Sequence, residues 1–209
     1  MKLAVVDYGM GNLRSVTKAL GKVAPSARID IARHAHQIMA ADRIVVPGQG
    51  MMKACLQELR QLKLLEAVTE AARQKPFLGI CIGMQMLFEY SDEGHTQGLA
   101  LIPGHVRHLA QTLSASGDLL KIPHMGWNQV WPVGAHPLWA GIKPGSRFYF
   151  VHSYYVQPAQ QLDIAAYCEY GPRFACAVAH GNRFAVQFHP EKSAGNGLAL
   201  LANFINWQP

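Results

Sequence analysis

Cysteine is scarce in this chain, and its distribution is informative. The four cysteines, Cys55, Cys81, Cys168 and Cys176, form no CxxC pair and no spacing suited to zinc. They are therefore expected as reduced thiols in a reducing compartment, with no disulfide framework and no metal site. Charged residues make up only 15% of the chain, and the 19 Lys and Arg never adjoin one another. A formal excess of +6 suits nucleic acid only when the cations cluster, so no nucleic-acid partner is expected. A scattered excess fits an acidic partner surface or a phosphorylated metabolite better. No apolar stretch reaches the roughly 18 residues that span a bilayer, and the opening MKLAVVD is too short and too soon charged for a signal peptide. A cytoplasmic protein without membrane contact is expected. Internal repeats and low-complexity tracts are also missing. With 209 residues, 50% of them hydrophobic, the chain is expected to form one domain over 1–209.

The first half alternates short β-rich runs with helical periodicity. Residues 3–6, 29–31, 43–46 and 77–80 read as strands, and 13–23 as a helix with Leu13, Val16, Leu20 and Val23 on one face. A single long helical region is expected over 51–73, ended by Gln74, Lys75 and Pro76. This order implies an α/β fold, a central, mostly parallel sheet flanked by helices, with functional groups at the carboxyl ends of the strands. From 99 to 187 the pattern changes to strands separated by turn signals at Pro103-Gly104, Ser116-Gly117, Val133-Gly134, Pro144-Gly145 and His180-Gly181-Asn182. Additional antiparallel or mixed strands are expected there. Residues 198–207 close the chain as a helix, with Leu198, Leu201, Ala202 and Ile205 on one face.

Cys81 lies in GICIGMQ, after an apolar run and before a helical pattern. A cysteine held between glycines at a strand-to-helix turn is the thiol counterpart of a nucleophile elbow. A nucleophilic thiol needs a base, and the base needs an orienting group. FAVQFHPEKS, residues 184–193, supplies both: His189 ends a strand-like run and Glu191 follows two positions later. In extended chain those two side chains point the same way, and Pro190 stiffens the link. Each residue alone also reads as packing or surface; the conjunction carries the argument.

GICIGMQ with a later His-Pro-Glu resembles the class I, triad-type glutamine amidotransferases. Four further segments, VVDYGMGNLRSV (5–16), PGQG (47–50), KIPHMGWN (121–128) and YFVHSYY (149–155), resemble the branch of that family that forms the glutaminase subunits of imidazole glycerol phosphate synthases in histidine biosynthesis. The resemblance implies that Cys81 attacks the carboxamide of L-glutamine, His189 moves protons and Glu191 orients the imidazole. It implies oxyanion donors at Ile82 and in the loop Gly48, Gln49 and Gly50, a stretch that also reads as an ordinary turn. Position 49 is usually aliphatic in the family; Gln49 keeps the backbone donor. Gln85, Glu93, Ser153 and Tyr154 match positions that hold the amino-acid end of glutamine, although Glu93, beside Asp92, also reads as solvated surface. Asn12, Trp127 and Tyr149 are expected to face a cyclase subunit, a (β/α)8 barrel, in a heterodimer. No cofactor is implied.

Two other signals carry less. Gly9-Met10-Gly11 follows a strand, but Arg14 stands where a dinucleotide fingerprint needs its third glycine. That loop is expected to border the glutamine site or the partner. His34 and His36 form an HxH pair without a third ligand nearby and are expected to be exposed.

Overall fold

The computed structural model describes residues 1–111 and 120–209; the Ser116-Gly117 turn lies outside them. Thirteen strands among these residues form one branched, mixed sheet. Its first part is parallel: β2 (Arg28–Ala32), β1 (Lys2–Val6), β3 (Arg43–Gly48), β4 (Phe77–Cys81) and β13 (Arg183–Val186) lie side by side in that order. β3 and β4 are buried along their whole lengths, as expected for strands covered on both faces, which explains their unbroken apolar runs. Beyond β13 the sheet turns antiparallel through β12 (Arg173–His180) and β10 (Tyr154–Pro158) to β7 (Ile102–His108), which pairs in parallel with β5 (Phe88–Ser91); β6 (Thr96–Gln97) ends that edge. A branch leaves β12 through β11 (Ile164–Glu169) to β8 (His124–Pro132) and β9 (Ser146–His152).

The helices are α1 (Leu13–Val23), α2 (Ala35–Met39), α3 (Met52–Gln61), α4 (Leu65–Gln74), α5 (Ile82–Gln85) and α6 (Ala194–Asn206). α1 packs on α6, and α2 on α4 with α3 beside it.

The expected long helix over 51–73 is two helices. α3 stops in a Schellman motif: Lys63 takes φ 55°, its N–H donates to Arg60 O at 3.0 Å, and the Leu64 N–H reaches back to Leu59 O at 2.8 Å. Leu59 and Leu64 are both buried, the apolar contact that accompanies this cap. With Lys rather than Gly in the left-handed position, the apolar period runs on through the break.

α2, absent from the sequence reading, has His34 as its N-cap residue, whose carbonyl accepts from the N–H of Gln37 at 3.0 Å while the Gln37 side-chain oxygen accepts from the His34 N–H at 3.0 Å. His34 and His36 are exposed and stacked. α6 begins four residues earlier than expected, and its buried face is Gly197, Leu200, Leu201, Phe204 and Ile205, a stripe rotated from the expected one. Gly197 permits this. A Cβ there would sit 1.9 Å from Pro190 O, so the helix lies directly on the His-Pro-Glu turn.

Candidate active site

β4 and β13 are parallel neighbours, with Ile80 opposite Val186. Cys81 ends one strand and His189 follows the other, so residues far apart in sequence meet at adjacent carboxyl ends, where open α/β sheets place their sites. Cys81 itself carries the strain of the elbow, at φ 56° and ψ −109°, a conformation that costs a non-glycine residue of order 1–3 kcal/mol. The flanking glycines serve a different purpose from the one their position implied. A Cβ on Gly79 would lie 2.6 Å from Gly83 O, and one on Gly83 would lie 1.9 Å from Val46 O. They let β4, α5 and β3 approach closely while the cysteine makes the turn.

His189 Nδ1 lies 2.9 Å from Glu191 Oε1. The contact is made across a 3-10 turn, Pro190–Lys192, rather than along extended chain. Ser193 locks this turn: its hydroxyl donates to His189 O at 2.6 Å and accepts from the Tyr149 N–H at 3.0 Å. The His189 N–H in turn donates to Tyr149 O at 2.9 Å, which ties the turn to β9. The His189 and Glu191 side chains are 2% and 1% exposed. Burial favours the neutral imidazole, but hydrogen bonding and negative charge at the Cys81 sulfur and the Glu191 carboxylate outweigh it and raise the His189 pKa to about 9. Nε2 of His189, Oε2 of Glu191 and Oε1 of Gln85 are buried without hydrogen-bond partners; concentrated at one place, such groups mark a site awaiting a ligand.

A cavity of about 400 Å³ opens beside Cys81 and His189. Of the sequence-derived substrate residues, Gln85, Glu93, Ser153 and Tyr154 all line it, as do Gln49, Gly50 and Ile82 from the oxyanion set. Gly48 does not line it. It is buried beneath the elbow, where a Cβ would lie 2.6 Å from the Tyr8 hydroxyl and 2.8 Å from Ile82 Cβ, so its requirement is close packing. Gly11 lies against Pro47, and Gly50 faces Met10, so the Gly9-Met10-Gly11 loop borders the loop of residues 47–50. Glu93 is buried, not solvated surface. Its carboxylate accepts the Met52 N–H at the start of α3 at 2.6 Å, and burial raises its pKa despite that bond and the pull of His108.

Sequence reasoning missed several wall residues: Pro123, Val151, His152 and Lys192 line the cavity, and Gln187 touches Cys81 from behind. Gln187 had a signal, a single polar residue in the apolar run before His189 and two positions from it. The expected contact residues divide. Trp127 is 45% exposed, sits opposite Tyr149 across β8 and β9 and meets its ring edge to face at 6.1 Å. Asn12 is half-buried at the N-terminus of α1 and makes no capping side-chain bond. No helix among the described residues is long and apolar enough to cross a membrane.

A strained cysteine elbow and a buried His-Glu pair thus stand together at the carboxyl ends of a parallel sheet, the grouping a thiol nucleophile with its base would need. Residues 4–207 match the model of the family described as glutamine amidotransferase class-I, and the chain belongs to that family. Among its relatives are proteins named imidazole glycerol phosphate synthase subunit HisH. That of Nitrosomonas europaea is 55% identical and that of Aromatoleum aromaticum 54%, each aligned over 99% of both chains. That of Nitrosospira multiformis is 56% identical over 99% of this chain and 98% of its own. The fold is similar to a crystal structure of a glutamine amidotransferase, with a TM-score of 0.72 at 16% identity over 97% of each chain. It is also similar to PurLQS from Thermotoga maritima, with a TM-score of 0.68 at 17% identity over 98% of this chain and 97% of that one.

Proposed function

We propose that this chain is the glutaminase subunit of an imidazole glycerol phosphate synthase: it hydrolyses L-glutamine to glutamate and ammonia and hands the ammonia to a cyclase subunit. The observation that carries the chemistry is the Cys81 sulfur on its strained elbow, facing the same cavity as the buried His189–Glu191 pair. The Cys81 thiolate attacks the carboxamide carbon. The oxyanion that forms accepts from the Ile82 N–H and from the backbone of Gln49 and Gly50. As the tetrahedral intermediate collapses, the C–N bond breaks and imidazolium His189 gives its proton to the departing nitrogen, leaving a thioester and ammonia. Neutral His189 then takes a proton from water, which attacks the thioester; the C–S bond breaks and glutamate leaves. Glu191 holds Nδ1 throughout, so Nε2 is the nitrogen that exchanges protons. Gln85, Glu93, Ser153 and Tyr154 hold the amino-acid end of the substrate.

The 52–56% identity to HisH subunits supports a heterodimer with a (β/α)8 barrel cyclase that forms imidazole glycerol phosphate and AICAR. Trp127 and Tyr149, with the neighbouring Met125 at 62% exposed, supply the aromatic and methionine character of an interface. The test is co-purification with the cyclase, followed by synthesis assays with glutamine or free ammonium. Cys81→Ala is expected to assemble normally, to lose glutamine-dependent synthesis and to retain synthesis from ammonium. Loss of both would assign Cys81 a structural role and overturn the proposal.

A further inference from the structure

Gln187 is a buried polar group that the mechanism above leaves unused. It is 0% exposed and stands between two residues of the site. Its Nε2 lies 3.5 Å from Cys81 Sγ, and its Oε1 accepts from Gln85 Nε2 at 3.0 Å. That same nitrogen of Gln85 donates to the Tyr154 carbonyl at 3.3 Å.

The polarity of this chain is fixed from one end. A main-chain carbonyl can only accept, so the Gln85 atom facing Tyr154 must be nitrogen. The Gln187 atom facing that nitrogen must then be oxygen, and the one left to face sulfur is the amide N–H. Flipping either amide would set like atoms against each other at 3.0 Å.

We propose that Gln187 is a hydrogen-bond donor to the nucleophilic sulfur, and that its other end locks Gln85 with Oε1 turned to the substrate. The amide N–H favours thiolate over thiol, because a bond to a charged acceptor is stronger than one to a neutral acceptor. The lock explains why Gln85 Oε1 is buried and unpartnered: it is an acceptor held ready for a substrate N–H. The inference rests on the glutaminase reading only in calling the sulfur the nucleophile.

The test reads the thiol directly, by the rate of iodoacetamide alkylation of Cys81 against pH in the full chain. Other titratable groups in the neighbourhood are His189, Tyr8, Cys55, Glu93, His152 and Lys192, and all are retained in the variants. Gln187→Glu keeps an oxygen for Gln85 but replaces the donor to sulfur with a like charge. Gln187→Met, close in length and volume, removes both bonds and carries the test if the acidic variant does not fold. Both are expected to move the midpoint of the alkylation profile upward by about one pH unit, a tenfold change in thiolate fraction below it. Glutamine KM is expected to rise several-fold in Gln187→Met and to stay near wild type in Gln187→Glu, since only the former frees Gln85. Alkylation profiles that superimpose on wild type in folded variants would overturn the donor role. A wild-type chain that fails to turn over glutamine even in complex with the cyclase and its nucleotide ligand, while the profiles still shift, would overturn the glutaminase reading and leave this inference standing.

Discussion

Cys81 holds a backbone conformation, φ 56° and ψ −109°, that its chemistry requires and its side chain opposes. Strain of this kind persists only where the surroundings enforce it, here the close approach of Gly79 and Gly83 to their neighbours. Cys81→Gly is therefore expected to abolish glutaminase activity while raising stability by about 1 kcal/mol over Cys81→Ala, because glycine relieves the strain and alanine keeps it. Urea unfolding of the two variants checks this; equal midpoints would place the strain elsewhere. His189 makes a second residue-scale demand. Its pKa is about 9 in the folded chain against about 6.5 unfolded. A raised folded pKa stabilises fully below the unfolded value and loses its contribution as pH climbs through the folded one. The chain is thus expected to lose stability from this group between about pH 6.5 and 9, and Glu191→Gln, which keeps an oxygen near Nδ1 but removes one of the two partners that raise the pKa, is expected to reduce that decline. Parallel declines in the two proteins would dissociate the stability change from the pair.

At the scale of elements, β8 and β9 carry a buried histidine pair, one member of which, His152, lines the cavity. His124 Nδ1 and His152 Nε2 are 2.9 Å apart, and His152 Nδ1 donates to Tyr154 O at 2.8 Å. Burial lowers the two pKa values to about 4 and about 3. Here the sign reverses: the unfolded chain takes protons below pH 6.5 that the folded pair refuses, so stability is full above that pH and falls toward pH 4. The slope is about 1.4 kcal/mol per pH unit for each histidine. His152→Gln is expected to reduce the acid slope of the unfolding free energy by about one proton, as read from denaturant midpoints between pH 6 and 4; an unchanged slope would mean the pair is protonated in the native chain. These elements also mark how far the sequence could be read. The buried runs of β1, β3 and β4 declare themselves because parallel strands covered on both faces need unbroken apolar chain. The break between α3 and α4 does not, because Lys63 occupies a position that glycine would have announced. The grouping of Cys81 with the His189–Glu191 pair was legible through the elbow and the His-Pro-Glu signature. The lock around Gln187 was not, because it depends on β13 lying beside β4, a pairing between residues 106 apart that no local pattern encodes.

For the whole molecule, the arrangement of β8 and β9 sets what a partner can do. One side of this pair exposes Met125, Trp127 and Trp131. The same strands and the residues flanking them supply Pro123, Val151, His152 and Ser153 to the cavity wall. A subunit seated on the exposed side therefore presses on strands that also bound the glutamine site, without a long relay between them. The loop of residues 47–50 is also constrained: the Gln49 carbonyl accepts from the Cys55 thiol at 3.4 Å, while Gly48 is packed under the elbow and away from the cavity. Burial pushes the Cys55 pKa up to about 11, so it remains a thiol donor across the physiological range and keeps that carbonyl engaged. From this geometry the isolated chain is expected to hydrolyse glutamine slowly, and the cyclase carrying its nucleotide ligand to raise turnover at least roughly tenfold, within the usual range of coupling between sites. At the level of binding, thermodynamic reciprocity gives a separate test: a glutamine analogue bound at Cys81 should tighten the nucleotide ligand on the cyclase by the factor with which the ligand tightens the analogue. Steady-state glutaminase assays and paired binding titrations measure the two effects separately. Equal turnover with and without the loaded partner would show that the β8–β9 wall is rigid, and that the resting loop of residues 47–50 is already competent.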